Sequence, residues 1–132
     1  MTGSELRDMN TNQENSFMEK YMMLFYGGDE QMGRMSADEY QKHMQDWYDW
    51  IQKLTDDGVY IGGEPLDESA KTIRGSEKLV SDGPFIEGKE VVGGYVAFHA
   101  RDWDEALKIS KGCPIFDVAG NLELRKIMEL EM

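Results

Sequence analysis

Two apolar stretches constrain the fold of this chain more than any other feature of its sequence. Residues 21–26 read YMMLFY and end at two glycines, and residues 91–100 read VVGGYVAFHA. Short apolar runs between turn residues are typical of strands. A strand that is covered on one side only alternates apolar with polar residues. Both stretches are almost continuously apolar, so the sequence predicts central strands that are covered on both faces.

Helical patterns follow each of these predicted strands. Ser36 and Glu39 have the spacing of a capping box, and Gly58 provides a C-terminal stop. Between them lies an apolar stripe with alternating spacings of four and three, formed by Tyr40, Met44, Trp47, Ile51 and Leu54. A shorter helix is predicted from Asp102, which caps it, to Gly112, which ends it.

The remaining segments complete an α+β order. Residues 59–65 and 121–130 read as strands, and residues 71–81 read as a small hairpin with Gly75 near its tip. The order β-α-β, hairpin, β-α-β predicts a ferredoxin-like sandwich. Right-handed crossovers place both helices on one face of the sheet. A second copy of the chain is then the simplest cover for the other face, and we expect a homodimer joined through that face. The alternative is that these apolar side chains line a cavity or lie on the surface.

Composition excludes several classes of function. With 132 residues the chain is one domain long, and its net charge of −12 without a basic patch argues against nucleic acid. No apolar run is long enough to cross a membrane. One cysteine and no leader pattern predict a cytoplasmic protein. We expect residues 1–16 to form a flexible tail and residues 17–132 to form the domain. The two histidines and Cys113 lack metal-ligand spacing, so neither a metal site nor a cofactor is predicted.

The segment from residue 82 to residue 116, DGPFIEGKEVVGGYVAFHARDWDEALKISKGCPIF, resembles the DGPF subgroup of the YCII-related family. The upstream YMMLFYGGDE and IQKLTDDGVYIGGEPL resemble the first strand and the helix-to-strand passage of the same subgroup, and the resemblance extends over residues 17–128. It implies a dimeric α/β barrel made of two ferredoxin-like units. For function it implies either small-molecule, lyase-like chemistry through a His–Asp pair or a regulatory association with sigma factors.

The candidate proton-handling pair is His43 and Asp82. The family histidine lies about three turns before the glycine that ends the helix, a place that Trp47 holds in this chain, and His43 lies one turn earlier. His43, Trp47 and Trp50 share one helix face. His43 is predicted either at the mouth of a pocket or on the helix surface. Asp82 is either a pre-positioned base or a turn residue whose carboxylate accepts backbone N–H bonds.

Three residues of the long strand complete the predicted ligand site. Gly93 and Gly94 interrupt an apolar strand, which is costly unless a ligand or partner sheet approaches the backbone or the strand bulges. Tyr95 follows them and would contribute an aromatic wall. Two functions are therefore predicted as alternatives. One is a homodimeric enzyme or binder of a small organic metabolite, and the other is a non-catalytic dimeric interaction module.

Overall fold

A computed structural model describes residues 18–85 and 91–130 of the chain, so the predicted tail at residues 1–16 lies outside the described residues. The described residues form six strands: β1 (Glu19–Tyr26), β2 (Tyr60–Pro65), β3 (Lys71–Arg74), β4 (Leu79–Asp82), β5 (Val92–Ala100) and β6 (Asn121–Lys126). The α-helices are α1 (Asp29–Gly33), α2 (Ala37–Asp56) and α3 (Trp103–Ser110), and a 3₁₀ helix spans Pro114–Val118.

The strands form one four-stranded antiparallel sheet and one separate hairpin. The order in the large sheet is β2-β5-β1-β6, and β3 pairs only with β4. This α+β topology is consistent with the predicted ferredoxin-like fold, with a hairpin inserted between its second and third sheet strands. The pairing of two such units into a barrel remains a prediction.

Local sequence signals set the bounds of α2 as predicted. The hydroxyl of Ser36 accepts a hydrogen bond of 3.1 Å from the backbone N–H of Glu39, whose carboxylate accepts one from the N–H of Ser36. Gly58, just beyond the helix, has a φ of 76°, which favours glycine. The predicted stripe was wrong for Tyr40, which is 47% exposed. The buried line runs instead through His43 and Trp50 to Leu54.

One face of the large sheet packs against the helices. Alternate residues of β1, namely Tyr21, Met23 and Phe25, are buried there together with Phe98 of β5. The same cluster holds the helix side chains Trp50, Leu54 and Ala106. Since successive strand residues point to opposite faces, the intervening residues lie on the other side of the sheet.

We call that other side the helix-free face. It carries the residues that alternate with the core residues in all four strands: Lys20, Met22, Leu24, Tyr26, Gly62, Glu64, Tyr95, Ala97, His99, Asn121, Glu123 and Arg125. None of these residues belongs to the helix-packed cluster of the described chain. Its centre, where β1 and β5 pair, is apolar as the sequence predicted.

The backbone geometry explains why glycine occupies two positions in the sheet. Phe25 of β1 opposes Gly94 of β5, but the next residue, Tyr26, opposes Val92, so the register shifts between them. Gly93 is therefore the extra residue of a β-bulge, one of the two explanations predicted for the glycine pair. On the neighbouring strand, a Cβ added to Gly63 would lie 2.5 Å from the carbonyl oxygen of Tyr95, so only glycine fits there.

Candidate functional site

Trp47 joins the predicted helix residues into one aromatic cluster. Its ring contacts His43, Phe25 and Trp50 edge to face, with centroid distances of 6.3, 5.2 and 5.7 Å. The indole Nε1 of Trp47 donates a hydrogen bond of 3.0 Å to Nε2 of His43. His43 is only 4% exposed, so the alternative of a surface histidine was wrong. An accepting Nε2 places the proton of the neutral imidazole on Nδ1.

Asp82 lies at the end of the hairpin and has a different partner. Its carboxylate accepts a bond of 2.6 Å from Nζ of Lys71, and its side chain is 87% exposed. Lys71 and Asp82 are directly opposite each other in the β3–β4 register. The carboxylate is thus held by a cross-strand ion pair, where the sequence had suggested backbone N–H bonds. The structure does not bring Asp82 into contact with the buried His43, and their catalytic pairing remains a prediction.

The three predicted residues of β5 divide between the two faces of the sheet. A Cβ on Gly94 would lie 3.6 Å from Cδ2 of Phe25, so Gly94 adjoins the aromatic cluster. Gly93 is exposed at the bulge. Tyr95 is paired with Leu24 and Glu64, and it lies on the helix-free face. Tyr95 and Trp47 therefore lie on opposite sides of the sheet.

His99, to which the sequence reasoning assigned no role, is a notable polar group on the helix-free face. It lies directly opposite Lys20, and its backbone N–H donates a bond of 2.8 Å to the carbonyl of Val59. Its Nδ1 is buried and has no hydrogen-bond partner among the described residues. Burial, followed by the charge of Lys20, lowers the pKa of His99. Residues two apart in a strand lie on the same face, so the position of His99 could have been predicted from those of Tyr95 and Ala97.

Two other buried titratable groups are poor candidates for chemistry near neutral pH. Burial and the Glu19 carboxylate, to which it donates a bond of 3.0 Å, raise the pKa of Tyr21 to about 12. Burial likewise raises the pKa of Cys113 to about 12, so little thiolate is present. Neither group can exchange a proton readily at pH 7.

Over residues 19–131 the sequence matches the YCII-related domain. The chain belongs to the YCII-related family. The match includes every described strand and helix, and therefore both faces of the sheet and the hairpin that ends in Asp82. No curated protein matches the sequence significantly.

The described residues of this YCII-related protein contain no group of three or more His, Cys, Asp or Glu side chains arranged to hold a metal ion. Within the same ranges, no helix has the length and apolar character to cross a membrane.

Proposed function

We propose that this YCII-related protein is a homodimer joined through the helix-free faces of its two sheets, and that it binds a small organic molecule between them. The observation that carries the proposal is the apolar centre of the helix-free face, where Met22 opposes Ala97 and Leu24 opposes Tyr95. We also assign the chain to the DGPF subgroup, on the strength of residues 82–85 and the glycine pair of β5.

A second copy is the natural cover for this face because both main helices pack on the other side. Burial of apolar surface is favourable by roughly 25 cal/mol of free energy for each Å² removed from water. A partner that covers this face would therefore be stabilised by the burial. A two-fold dimer places the same patch on itself, so one apolar centre satisfies both copies. Packed sheets lie about 10 Å apart, which leaves side chains of both copies to fill or line the space.

The composition of the face suits a small-molecule site at its margins. Ligand pockets combine apolar and aromatic walls with a few polar groups that fix orientation. Tyr26 and Tyr95 supply aromatic surface, and His99 supplies an imidazole whose Nδ1 is unpaired among the described residues. The family resemblance also implies lyase-like acid–base chemistry by His43 and Asp82. That chemistry would need a separate ligand site on the helix side of the sheet, where His43 contacts Trp47.

A specific observation favours a second candidate, the non-catalytic dimeric interaction module. Nε2 of His43 is occupied by the indole of Trp47, and the carboxylate of Asp82 by Lys71. A general acid or base must reach the proton that it transfers. Both side chains would have to release their present partners before acting on a ligand. A regulatory link to sigma factors belongs to this second candidate.

The dimer is tested by two matched lysine substitutions. Leu24→Lys places a charge at the apolar centre of the helix-free face, whereas Leu107→Lys places one on α3, where the leucine is already 45% exposed. We expect the first variant to sediment as a monomer and the second to behave like the parent. Dimers of equal strength in both variants would rule out this face as the interface.

The ligand is tested by thermal stabilisation with a panel of small organic acids, amines and sugars, since a true ligand raises the melting temperature by mass action. The panel is repeated on His43→Gln and Asp82→Asn, each folded and dimeric. Each compound that stabilises the parent is also tested as a substrate. If the parent converts it and both variants do not, the result supports the acid–base form. Stabilisation without turnover supports a binding protein. A parent that no compound stabilises favours the interaction module.

A further inference from the structure

The helix-free face carries its charges in a defined pattern. The register places residues in rows that run across the sheet in the order β2, β5, β1, β6. One row consists of Glu64, Tyr95, Leu24 and Glu123. The adjacent row consists of Gly62, Ala97, Met22 and Arg125. Beyond it His99 and Lys20 lie side by side. Acidic groups therefore occupy both edges of one row, and basic groups lie towards the other end of the strands.

This pattern distinguishes between the two simple ways of stacking the face on itself. In the first, the two-fold axis runs along the strands. Each row then covers the same row of the second copy, but β2 lies over β6 and β5 lies over β1. Glu64 of one copy then faces Glu123 of the other. Like charges brought directly opposite destabilise an interface.

In the second arrangement, the axis crosses the strands through the apolar centre of the face. Each strand then lies over its own counterpart and runs antiparallel to it, so the two central rows exchange places. Met22 of each copy covers Leu24 of the other. At the β6 edge, Arg125 of each copy faces Glu123 of the other. This pair occurs twice by symmetry.

The dimensions allow the edge pair to form. Packed sheets are separated by about 10 Å, a gap that an arginine and a glutamate span together. The usual crossing angle of about 30° shifts the pair along the strand by a few Å, which the long side chains accommodate. Arg125 is exposed, and Glu123 is exposed while accepting a bond of 3.2 Å from the hydroxyl of Tyr26.

We propose that two copies pack with their strands antiparallel, about an axis across the strands, so that Arg125 of each pairs with Glu123 of the other. The inference rests on the homodimer proposed above and adds its geometry. The second copy is the partner because, of the two arrangements, only this one places Arg125 of the basic side of the face opposite Glu123 of the acidic row.

Charge reversal at the two positions tests the geometry. We measure the dimer dissociation constant by sedimentation at low ionic strength for Arg125→Glu, Glu123→Lys and the variant carrying both. Each single change replaces two ion pairs by two like-charged contacts. Exposed ion pairs contribute up to about 1 kcal/mol each, so the dissociation constant should rise about tenfold. The double variant restores opposite charges and should return to within about threefold of the parent. Salt should reduce every effect.

Matched controls keep the experiment decisive. Lys111→Glu and Glu68→Lys change the same charges at exposed positions outside the sheet and should leave the dissociation constant unchanged. If Glu123→Lys tightens the dimer, the axis runs along the strands, because the change would then relieve the contact with Glu64. Unchanged affinity in both single variants also overturns the inference, while the homodimer stands. A monomeric parent overturns both.

Discussion

The indole N–H of Trp47 donates a 3.0 Å hydrogen bond to Nε2 of His43, one turn earlier on the same helix. This bond gives a buried imidazole a partner, and it orients the ring that contacts Phe25 and Trp50. The histidine therefore contributes to the packing of α2 against the sheet, whatever chemistry the protein performs.

A double-mutant cycle on His43 and Trp47 measures this relationship. Trp47→Phe removes the donor and keeps an aromatic ring, and His43→Leu removes the acceptor and keeps an apolar side chain. We expect a coupling free energy of about 1 kcal/mol in urea unfolding, the usual net value of one hydrogen bond. Additivity of the two changes within about 0.3 kcal/mol would show that the bond contributes nothing to stability.

Adjacent glycines of β2 provide a matched pair for backbone packing. A Cβ on Gly63 would lie 2.5 Å from the carbonyl oxygen of Tyr95, whereas a Cβ on Gly62 would meet nothing within 4 Å. Gly63→Ala should lower the free energy of unfolding by about 2 kcal/mol or more, and Gly62→Ala should change it by less than about 0.5 kcal/mol. Chemical denaturation of the two variants compares them directly. Equal losses would contradict the described approach of β2 to β5.

The pH dependence of stability should report His99. Its pKa is lowered from the ordinary 6.5 by burial and by Lys20, so the unfolded chain binds a proton at a higher pH than the folded chain. The contribution of neutral His99 to stability is complete above about pH 6.5 and is lost as the pH falls through the folded pKa. His99→Gln should therefore lose less unfolding free energy than the parent between about pH 7.5 and pH 5.5. Identical losses would contradict the lowered pKa of the half-buried His99.

Much of the fold followed from local patterns in the sequence. The apolar runs located β1 and β5, and Ser36, Glu39 and Gly58 located both ends of α2, because these signals act within one turn or one strand. The buried line of α2 was harder, since residues 40, 44, 47, 51, 54 and residues 43, 47, 50, 54 both have helical spacing. The choice depends on how the helix meets the sheet, which is a tertiary property.

The candidate site was less predictable than the fold. The shared face of His43, Trp47 and Trp50 followed from helical spacing alone. The partner of Asp82 depended on the hairpin register that brings Lys71 opposite it. The position of His99 depended on which strand face the helices leave uncovered. Registers and covered faces are set by pairing and packing between distant segments, which periodicity in one segment does not specify.

Cys113 should be inert in the folded protein. Burial raises its pKa to about 12, and the thiolate is the species that reacts with disulfide and alkylating reagents. We expect negligible labelling at pH 8 in the native state and complete labelling in denaturant, with no other cysteine to confuse the count. Rapid labelling of the native protein would contradict the described packing around the 3₁₀ helix.

We propose above that a second copy of the chain covers the apolar centre of the helix-free face. Sedimentation of the parent protein at micromolar concentration tests it most directly. We expect a species of about twice the chain mass of 15.1 kDa. A single species of one chain mass, unchanged over the accessible concentration range, would contradict it.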